Sequence, residues 1–301
     1  MGLKKILVTG SNGLLGQKLI HLIKEKYPQY ELLACSRGEN RVNKTEGFTF
    51  RNIDITNNIE VKKLFSEFKP NIIVNTAAMT NVDQCEVEQE ACWNVNVKAV
   101  ENLIQESEKY NSHLIHLSTD FIFDGEKGMY KETDESHPLS FYGKSKETAE
   151  EIIKKSNISW AIARTIIVYG VAEAMSRSNI VLWAREALQK GDKLNIVNDQ
   201  YRSPTLAEDL AEGCMLIAEK KATGVFHLSG KDYMSISQLV RRMAAFYKLD
   251  DSIIEEVSSK ALNQKAKRPP KTGFDLTKAI NILGYNPHSF EEGLAILEKQ
   301  L

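Results

Sequence analysis

The sequence of 301 residues predicts an α/β fold, in which helices cover both faces of a doubly wound parallel sheet and a smaller C-terminal lobe follows. Three observations predict this class. Short apolar runs alternate with segments of helical periodicity through the first half of the chain. The runs are continuously apolar, as are strands that are buried on both faces. A glycine-rich segment, residues 10–16, joins the first run to the first helical segment.

The elements of the first half follow this alternation in order. Apolar and β-branched runs predict strands at residues 5–8, 32–36, 48–53, 72–75, 113–118 and 160–168. Helical spacing predicts helices at residues 13–26, 59–68, 88–110 and 141–155. Because helices separate most neighbouring strands, we expect the strands to run parallel and to end at one edge of the sheet.

After about residue 169 the alternation loosens. We expect helices at 179–190, 206–219 and 235–247, short strands at 194–197 and 225–228, and a loop at Arg268-Pro269-Pro270. The predicted domains are therefore residues 1–169 and a smaller lobe, residues 170–301, over the carboxyl edge of the sheet. Residues 206–219 are expected to return to the first domain.

Composition argues against several classes of protein. The chain has 39 basic and 40 acidic residues, so no basic excess favours nucleic-acid binding. No apolar stretch is long enough to span a bilayer, and the first apolar run ends at Val8, too early for a signal peptide. The cysteines and histidines lack metal-site spacing. We therefore expect a cytoplasmic protein with reduced thiols, no metal, and no nucleic-acid or membrane partner.

Gly10, Gly13 and Gly16 form a G-x-x-G-x-x-G pattern between the first predicted strand and helix. A phosphate must approach the backbone closely at such a turn, and glycine has no Cβ in the way. The helix that follows offers free N–H groups and a positive dipole end to a pyrophosphate. The spacing differs from the G-x-G-x-x-G fingerprint, but its position predicts a dinucleotide site in a Rossmann-type domain.

The end of the second predicted strand indicates which dinucleotide binds. An acidic residue often stands there to bind the ribose 2′-hydroxyl, but this chain has Ser36 and Arg37, and no acid before Glu39. Arginine can hold a 2′-phosphate through paired charge-assisted hydrogen bonds, whereas a carboxylate would repel it. We therefore predict NADPH as the cofactor, with NADH as the alternative.

Two further strand ends are expected near the cofactor. Asp54 could accept a hydrogen bond from the adenine amino group, and Ile55 could pack on the ring. A plain turn at Asp54 is an equally good interpretation. Ala77 and Ala78 follow the fourth strand, where small side chains would let the cofactor lie against the backbone.

Tyr142 and Lys146 stand four residues apart, which places them on one face of a predicted helix. A ketone that accepts hydride becomes an alkoxide and needs a proton. A nearby ammonium is expected to lower the pKa of the Tyr142 phenol, which would let it exchange that proton near neutral pH. The pair follows the fifth strand, where a substrate crevice should open. The sequence therefore predicts the proton donor of a hydride-transfer enzyme.

Ser118, Thr119 and Asp120 close the fifth strand at the same edge. We expect Thr119 to donate to the substrate carbonyl and Ser118 to lie nearer the cofactor. Asp120 is interpreted as a solvated or capping carboxylate rather than as an acid catalyst.

These motifs resemble those of the extended short-chain dehydrogenases/reductases and, over nearly the whole chain, those of the dTDP-4-dehydrorhamnose reductase family. The matching segments are residues 8–16, 75–83 with Glu86, 118–125, 142–146, 164–165, 168–170, 199–200, 203–205, 226–230 and 268–269. The glycine and Tyr-Lys motifs belong to the whole superfamily. The Ser-Thr-Asp segment, the Asp-Gln and Pro-Thr pairs within residues 199–205, and the late Arg-Pro pair are more specific to this branch.

The resemblance implies that NADPH reduces the 4-keto group of dTDP-6-deoxy-L-lyxo-4-hexulose, giving dTDP-L-rhamnose. Residues 1–169 would bind NAD(P), and the smaller lobe would bind the nucleotide sugar. The catalytic residues would be Thr119, Tyr142 and Lys146. The cofactor-binding residues, from motifs and resemblance together, would be Gly10, Asn12, Gly13, Leu14, Leu15, Gly16, Ser36, Arg37, Asp54, Ile55, Ala77, Ala78, Thr80, Ser118, Tyr142 and Lys146. The substrate-binding residues would be Val82, Asp83, Thr119, Phe121 and Arg268, with Arg268 near the diphosphate.

Four residues, at three places in the chain, depart from the family pattern and leave the particular sugar open. Phe121 replaces a common Tyr, Ile167 replaces a common Trp, and Lys271-Thr272 replaces Asn-Ser. Two other functions also stay open. One is an epimerase or dehydratase that retains NAD; the other is a non-catalytic NADP-binding subunit, like the regulatory subunit of methionine adenosyltransferase, which resembles the same family. A homodimer is compatible with the resemblance.

Overall fold

A computed structural model describes residues 3–175, 177–262 and 264–301 of the chain. Its strands are β1 Lys4–Thr9, β2 Tyr30–Ser36, β3 Thr49–Asn52, β4 Ile72–Asn75, β5 His113–Thr119, β6 Gly128–Tyr130, β7 Ser159–Thr165, β8 Val168–Tyr169, β9 Leu194–Val197, β10 Tyr201–Arg202, β11 Thr205–Leu206, β12 Gly224–His227, β13 Met234–Ser235, β14 Ile254–Val257 and β15 Lys271–Phe274. Its α-helices are α1 Leu14–Lys26, α2 Asn58–Phe68, α3 Val82–Val87, α4 Gln89–Trp93, α5 Ala99–Tyr110, α6 Phe141–Lys155, α7 Ile180–Lys190, α8 Ala207–Lys220, α9 Ile236–Tyr247 and α10 Phe290–Glu298. Short π-helical turns lie at Asn94–Lys98 and Ala279–Leu283, and 3-10 turns at Asp120–Ile122 and Ser259–Ala261.

Seven parallel strands form the large sheet, in the spatial order β12-β7-β5-β4-β1-β2-β3. β1 pairs with both β2 and β4, so the chain winds outward from it in two directions. The four residues of β4 are all buried, as are the last four of β1. The predicted doubly wound α/β sheet is confirmed.

Helices cover both faces of this sheet and give it two cores. Ile6 of β1 packs in one core with α1 and α8, whereas the next residue, Leu7, packs in the other with α2, α5 and α6. Side chains alternate along a strand, so one buried strand serves both cores. Thr9, Asn75 and Thr119 end β1, β4 and β5, and therefore lie at the same edge of the sheet.

The second half of the chain contributes to more than one part of the fold. β12 pairs with β7 as an edge strand of the large sheet, and α8 packs beside α1. Further sheets are the four-stranded sheet of order β13-β10-β15-β6 and the strand pairs β11–β8 and β14–β9; with helices α7, α9 and α10, residues of these sheets form a separate apolar core. The division of the chain at residue 169 stays a prediction.

The strand predicted at residues 160–168 ends earlier, at Thr165. Ile167 has a φ of +32°, a left-handed conformation that β-branched residues rarely adopt and that ends the strand. Thr205 holds this turn, because its N–H donates to the Ile167 carbonyl (3.0 Å) and its hydroxyl donates to the Ile166 carbonyl (2.6 Å).

The helix predicted at residues 88–110 is present as α4 and α5, but the π-helical turn at Asn94–Lys98 lies between them. Asn96, in this turn, is 1% exposed. Its Oδ1 accepts from the Met79 N–H (2.8 Å), and its Nδ2 donates to the Ser145 hydroxyl (3.0 Å). The π turn therefore connects the segment after β4 to helix α6.

Candidate functional site

Gly10 lies directly after β1, where the chain turns toward α1. Its φ is +67°, and a Cβ there would come within 2.6 Å of the Ala77 backbone nitrogen. A Cβ on Gly16 would lie 2.5 Å from the Gly10 carbonyl oxygen. Close packing of the loop against α1 and the end of β4 therefore explains these two glycines without a ligand.

The amino terminus of α1 lacks a cap from the protein. Its N-cap residue, Gly13, has no side chain, and the first turn contains no acid. By contrast, α6, α9 and α10 begin at serines whose hydroxyls accept from backbone N–H groups. Ser11, fully buried beside this turn, has a hydroxyl oxygen with no partner in the described residues. Uncapped N–H groups, the helix dipole and this hydroxyl suit an anionic ligand.

The Asn12 side chain organises the loop that follows β2. Its Nδ2 donates to the carbonyls of Arg37 (3.4 Å) and Glu39 (2.8 Å), and its Oδ1 accepts from the Arg41 N–H (3.0 Å). The amide of Asn12 is thus bonded within the protein, and it holds the Arg37 backbone beside the glycine loop. The Arg37 side chain is exposed, and Ser36 is half-buried at the end of β2.

The structure shows Asp54 in a plain turn, rather than with a carboxylate free for an adenine amino group. Its Oδ1 accepts from the N–H of Thr56 (2.9 Å) and from the hydroxyl of the same residue (2.8 Å). Ile55 is 7% exposed and packs in the core with residues of α2 and α5. It therefore has little surface left for an adenine ring, and the structure gives no support to that expected contact.

Asp83 and Arg268 form a salt bridge, although they are 185 residues apart in the chain. The Arg268 guanidinium donates to both carboxylate oxygens of Asp83, at 2.7 and 3.3 Å, and its hydrogen bond lowers the pKa of Asp83. The structure thus brings these two predicted substrate residues together. Of the neighbouring predicted positions, Ala78 and Val82 are half-buried and Thr80 is exposed.

Asp120 departs most clearly from the sequence analysis. It is 2% exposed, so the interpretation as a solvated carboxylate is wrong. Its Oδ1 accepts from the Thr119 hydroxyl (3.0 Å), and its Oδ2 accepts from the Thr272 hydroxyl and lies 3.4 Å from Nε of Arg202. Burial raises the pKa of Asp120, and the Arg202 charge opposes this rise. The neighbouring Ser118 is 3% exposed, and its hydroxyl oxygen has no partner in the described residues.

Tyr142, in the first turn of α6, is 8% exposed and packs edge to face against Phe121, with ring centroids 5.6 Å apart. Burial raises the pKa of Tyr142, and the Thr119 hydroxyl opposes this only in part. The net lowering of this pKa that was expected from Lys146 is not seen, because burial of the phenol dominates; the Lys146 amine is itself hydrogen-bonded to His116. The phenol therefore keeps its proton at neutral pH.

Lys146 is 2% exposed, and its Nζ lies 2.9 Å from Nε2 of His116 on β5. Burial lowers the pKa of Lys146 to about 8, while Glu150 and Cys92 act in the opposite direction. Near pH 7 the amine therefore keeps most of its positive charge. The structure places Thr119, Tyr142 and Lys146 along one side of α6 and the end of β5.

Four residues of this region were not singled out from the sequence: Asn75, Asn96, His116 and Arg202. Each is buried and polar, and each bonds to a residue distant in the chain. Asn75 and His116 are polar residues in otherwise apolar strands, which is too common a pattern to identify a site, and the sequence around Asn96 and Arg202 has no distinctive pattern.

The described part of the chain contains no group of three or more histidine, cysteine or acidic side chains that could hold a metal ion. None of its described helices has the length and apolar character needed to cross a bilayer. All four cysteines are free and buried.

Comparison with known proteins identifies the family. The model described as RmlD substrate binding domain matches residues 4–301. A dTDP-4-dehydrorhamnose reductase from Aggregatibacter actinomycetemcomitans is 32% identical over 302 residues, covering 96% of this chain and 97% of that protein. Methionine adenosyltransferase 2 subunit beta from Xenopus laevis is 28% identical over 280 residues, covering 91% of this chain and 81% of that protein.

A solved structure gives the same result. The crystal structure of a dTDP-4-dehydrorhamnose reductase from Clostridium acetobutylicum matches with a TM-score of 0.86 and 28% identity, covering 98% of this chain and 99% of that one. The resemblance drawn from the sequence motifs is therefore confirmed over nearly the whole length. The chain belongs to the RmlD substrate binding domain family.

Proposed function

We propose that this protein is an NADP(H)-dependent reductase that converts the 4-keto group of a nucleotide-activated 6-deoxysugar to an alcohol, as in the formation of dTDP-L-rhamnose from dTDP-4-dehydrorhamnose. The observation that carries the proposal is the buried phenol of Tyr142 beside Thr119, at the sheet edge that also holds the glycine loop. The reductases to which the chain is similar support the sugar class. Phe121 and Ile167 leave the particular sugar open.

The residues around the glycine loop fit a dinucleotide. Ser11 and Ser118 each have a buried hydroxyl oxygen without a partner in the described residues, and both lie at this edge of the sheet. The uncapped turn after Gly13 suits the pyrophosphate, and the exposed Arg37 suits a 2′-phosphate. NADPH, when bound, would supply the hydride.

The side chains of α6 would supply the proton. Tyr142 would donate its phenolic proton to the carbonyl oxygen as negative charge develops there. A phenol is protonated at neutral pH, as reduction requires, and burial raises the pKa of Tyr142 further. Lys146 would stabilise the resulting phenolate through its positive charge. The Thr119 hydroxyl, which donates to Asp120, would have to turn away to donate to the substrate carbonyl.

The test is to incubate the purified protein with NADPH and a panel of dTDP-, UDP- and GDP-linked 4-keto-6-deoxysugars, and to follow the loss of reduced cofactor by absorbance. We expect oxidation of NADPH with at least one dTDP-linked sugar. NADPH binding without turnover on any member of the panel would contradict the proposal. A retained, tightly bound NAD with no net consumption of NADPH would instead indicate an epimerase or dehydratase.

One observation favours a second candidate, a non-catalytic cofactor-binding subunit. A relative named as methionine adenosyltransferase 2 subunit beta is 28% identical to this chain. The presence of Thr119, Tyr142 and Lys146 argues for catalysis, but a binding subunit could also retain them. The two candidates give opposite results in the panel assay.

Arg37 is expected to determine the preference for NADPH over NADH. Because its guanidinium would pair with the 2′-phosphate, Arg37→Ala should raise the Kd for NADPH by about tenfold to a hundredfold, as for the loss of one charge-assisted pair. The Kd for NADH should change by less than about twofold, since NADH has no 2′-phosphate. Fluorescence titration of both cofactors measures this. Equal effects on the two cofactors would contradict the assigned role.

A further inference from the structure

Three polar side chains form a row across the large sheet and end at Lys146. Thr9, Asn75 and His116 are register partners on β1, β4 and β5, which are neighbouring strands. Each lies two residues after a strand residue, Leu7, Ile73 or Leu114, of the core that α2, α5 and α6 cover, so all three side chains lie on that face of the sheet. The Thr9 hydroxyl lies 2.6 Å from Oδ1 of Asn75, and Nδ2 of Asn75 lies 3.0 Å from Nδ1 of His116.

The row is almost completely sealed from solvent. Exposure is 0% at Thr9, 1% at Asn75, 1% at His116 and 2% at Lys146. Buried polar groups must satisfy one another, because an unpaired one costs roughly 1–3 kcal/mol. The donors and acceptors of these four side chains are therefore constrained as a set.

Only one arrangement of the row accommodates an ammonium at Lys146. The ammonium has only donors, so Nε2 of His116 must accept, and the ring proton of a neutral His116 must then lie on Nδ1. The proton on Nδ1 requires the amide oxygen of Asn75 as its acceptor. The Asn75 amide must therefore be rotated by a half turn from the assignment above, so that its nitrogen faces the Thr9 hydroxyl. The oxygen and nitrogen of an asparagine amide exchange by a half turn about the last bond, so the same heavy-atom positions serve.

We propose that His116 is a positioning residue for Lys146: it accepts a hydrogen bond from the lysine ammonium, and the Thr9–Asn75 pair fixes the ring tautomer that makes this acceptance possible. This inference deepens the proposed function, on which it rests, because Lys146 is the cation of the proposed reaction. A neutral acceptor holds the amine in place and leaves its positive charge uncompensated at close range.

The charged and titratable groups around Lys146 agree with this assignment. Burial and the Lys146 charge hold the pKa of His116 well below its usual range, so the ring is neutral. Glu150, one turn further along α6, favours the charged lysine, but its carboxylate is bonded to Arg164 at 2.7 and 2.9 Å. Cys92, facing from α4, also favours the charged amine.

The test compares His116→Leu with His116→Gln, which keeps an acceptor, and with His113→Leu. His113 is a second buried histidine on β5, bonded to Ser159 and not to Lys146, so it is a matched control. Removing the acceptor of a charged group should lower its pKa. In His116→Leu, the basic limb of the kcat/KM profile should therefore move to lower pH by about one unit. His116→Gln and His113→Leu should keep the limb of the unmodified protein.

A second readout does not depend on turnover. The Lys146 side chain is titrated by NMR in protein with labelled lysine, assigned by comparison with Lys146→Met. Among the three histidine variants, we expect the same downward shift of the Lys146 pKa only in His116→Leu.

If His116→Leu does not fold, Asn75→Ala is the substitute, because it removes the amide that fixes the His116 tautomer. It should move the Lys146 titration in the same direction. An NMR shift without turnover on any sugar would contradict the proposed function and leave this inference standing. If the protein reduces a sugar, but His116→Leu changes neither the basic limb of the kcat/KM profile nor the Lys146 titration, the inference about His116 is wrong.

Discussion

Tyr142→Phe should lower kcat for NADPH-dependent reduction by about 10²- to 10⁴-fold, the usual contribution of a positioned general acid. The phenylalanine ring can keep the edge-to-face contact with Phe121, so the fold and the affinity for NADPH should change little. What is lost is the phenolic proton, which Tyr142 holds at neutral pH. Steady-state kinetics and cofactor titration measure the two effects separately.

Tyr285→Phe is a matched control for this result. Tyr285 is also buried, at 2% exposure, and its hydroxyl donates to the Ser229 carbonyl (3.1 Å) away from the proposed site. Its loss should leave kcat within about twofold, although it removes a buried hydrogen bond worth roughly 1 kcal/mol of stability. Turnover of Tyr142→Phe within about tenfold of the unmodified enzyme would rule out this phenol as the proton donor.

Arg202→Leu should destabilise the protein by about 3–5 kcal/mol, as removal of one partner from a buried ion pair does. Arg202 is 2% exposed and is the charged partner of Asp120. Its guanidinium also donates to the carbonyls of Tyr201 (2.7 Å), Pro269 (2.6 Å) and Pro270 (3.2 Å). The variant leaves the buried Asp120 carboxylate without its charged partner, with only the Thr119 and Thr272 hydroxyls to donate to it, and removes one donor from each of three carbonyls. Urea unfolding measures the loss.

The loss of stability in Arg202→Leu should depend on pH, and the pKa of Asp120 sets the direction. Burial already raises the folded-state pKa of Asp120 above its unfolded value, and removing Arg202 raises it further. An acid with a raised folded-state pKa contributes stability below its unfolded pKa and loses it as pH rises through the folded value. The effect of Arg202→Leu should therefore be smallest below about pH 4 and largest near neutrality.

Arg241→Leu provides the surface comparison. Arg241 pairs with Asp251 and Glu256, but its side chain is 38% exposed. A solvated pair of this kind contributes about 0–1 kcal/mol. The double variant Asp120→Asn/Arg202→Leu should recover part of the stability, because it leaves no unpaired charge. If Arg202→Leu lowers the free energy of unfolding no more than Arg241→Leu does, the buried Asp120–Arg202 pair does not have the proposed effect on stability.

The sequence predicted the features that depend on local order. The strands of the large sheet and the glycine turn follow from periodicity and from residues adjacent in the chain, and the structure confirms the fold class. The left-handed conformation of Ile167 was not predicted, because a β-branched residue normally favours a strand. Thr205, which holds that conformation, is 38 positions away.

The polar partners of the candidate site could not be predicted for a different reason. His116 reaches Lys146 across 30 residues because β5 lies beneath α6, and Asp120 meets Arg202 because β10 packs over the end of β5. Such contacts depend on the tertiary arrangement. The expected lowering of the Tyr142 pKa failed for this reason too: spacing placed Tyr142 and Lys146 on one helix face, but it did not reveal how deeply the fold buries the phenol.

The π-helical turn at Asn94–Lys98 limits how this chain can vary in length. One additional residue in the helical path offsets the flanking helices by about 100° of rotation. Upstream, Cys92 packs in the small apolar cluster around Tyr142; downstream, Val100 and Leu103 pack against the sheet. Deleting a single residue here would rotate one of these surfaces into solvent, so shortening by one position should be tolerated far less than a substitution at the same place.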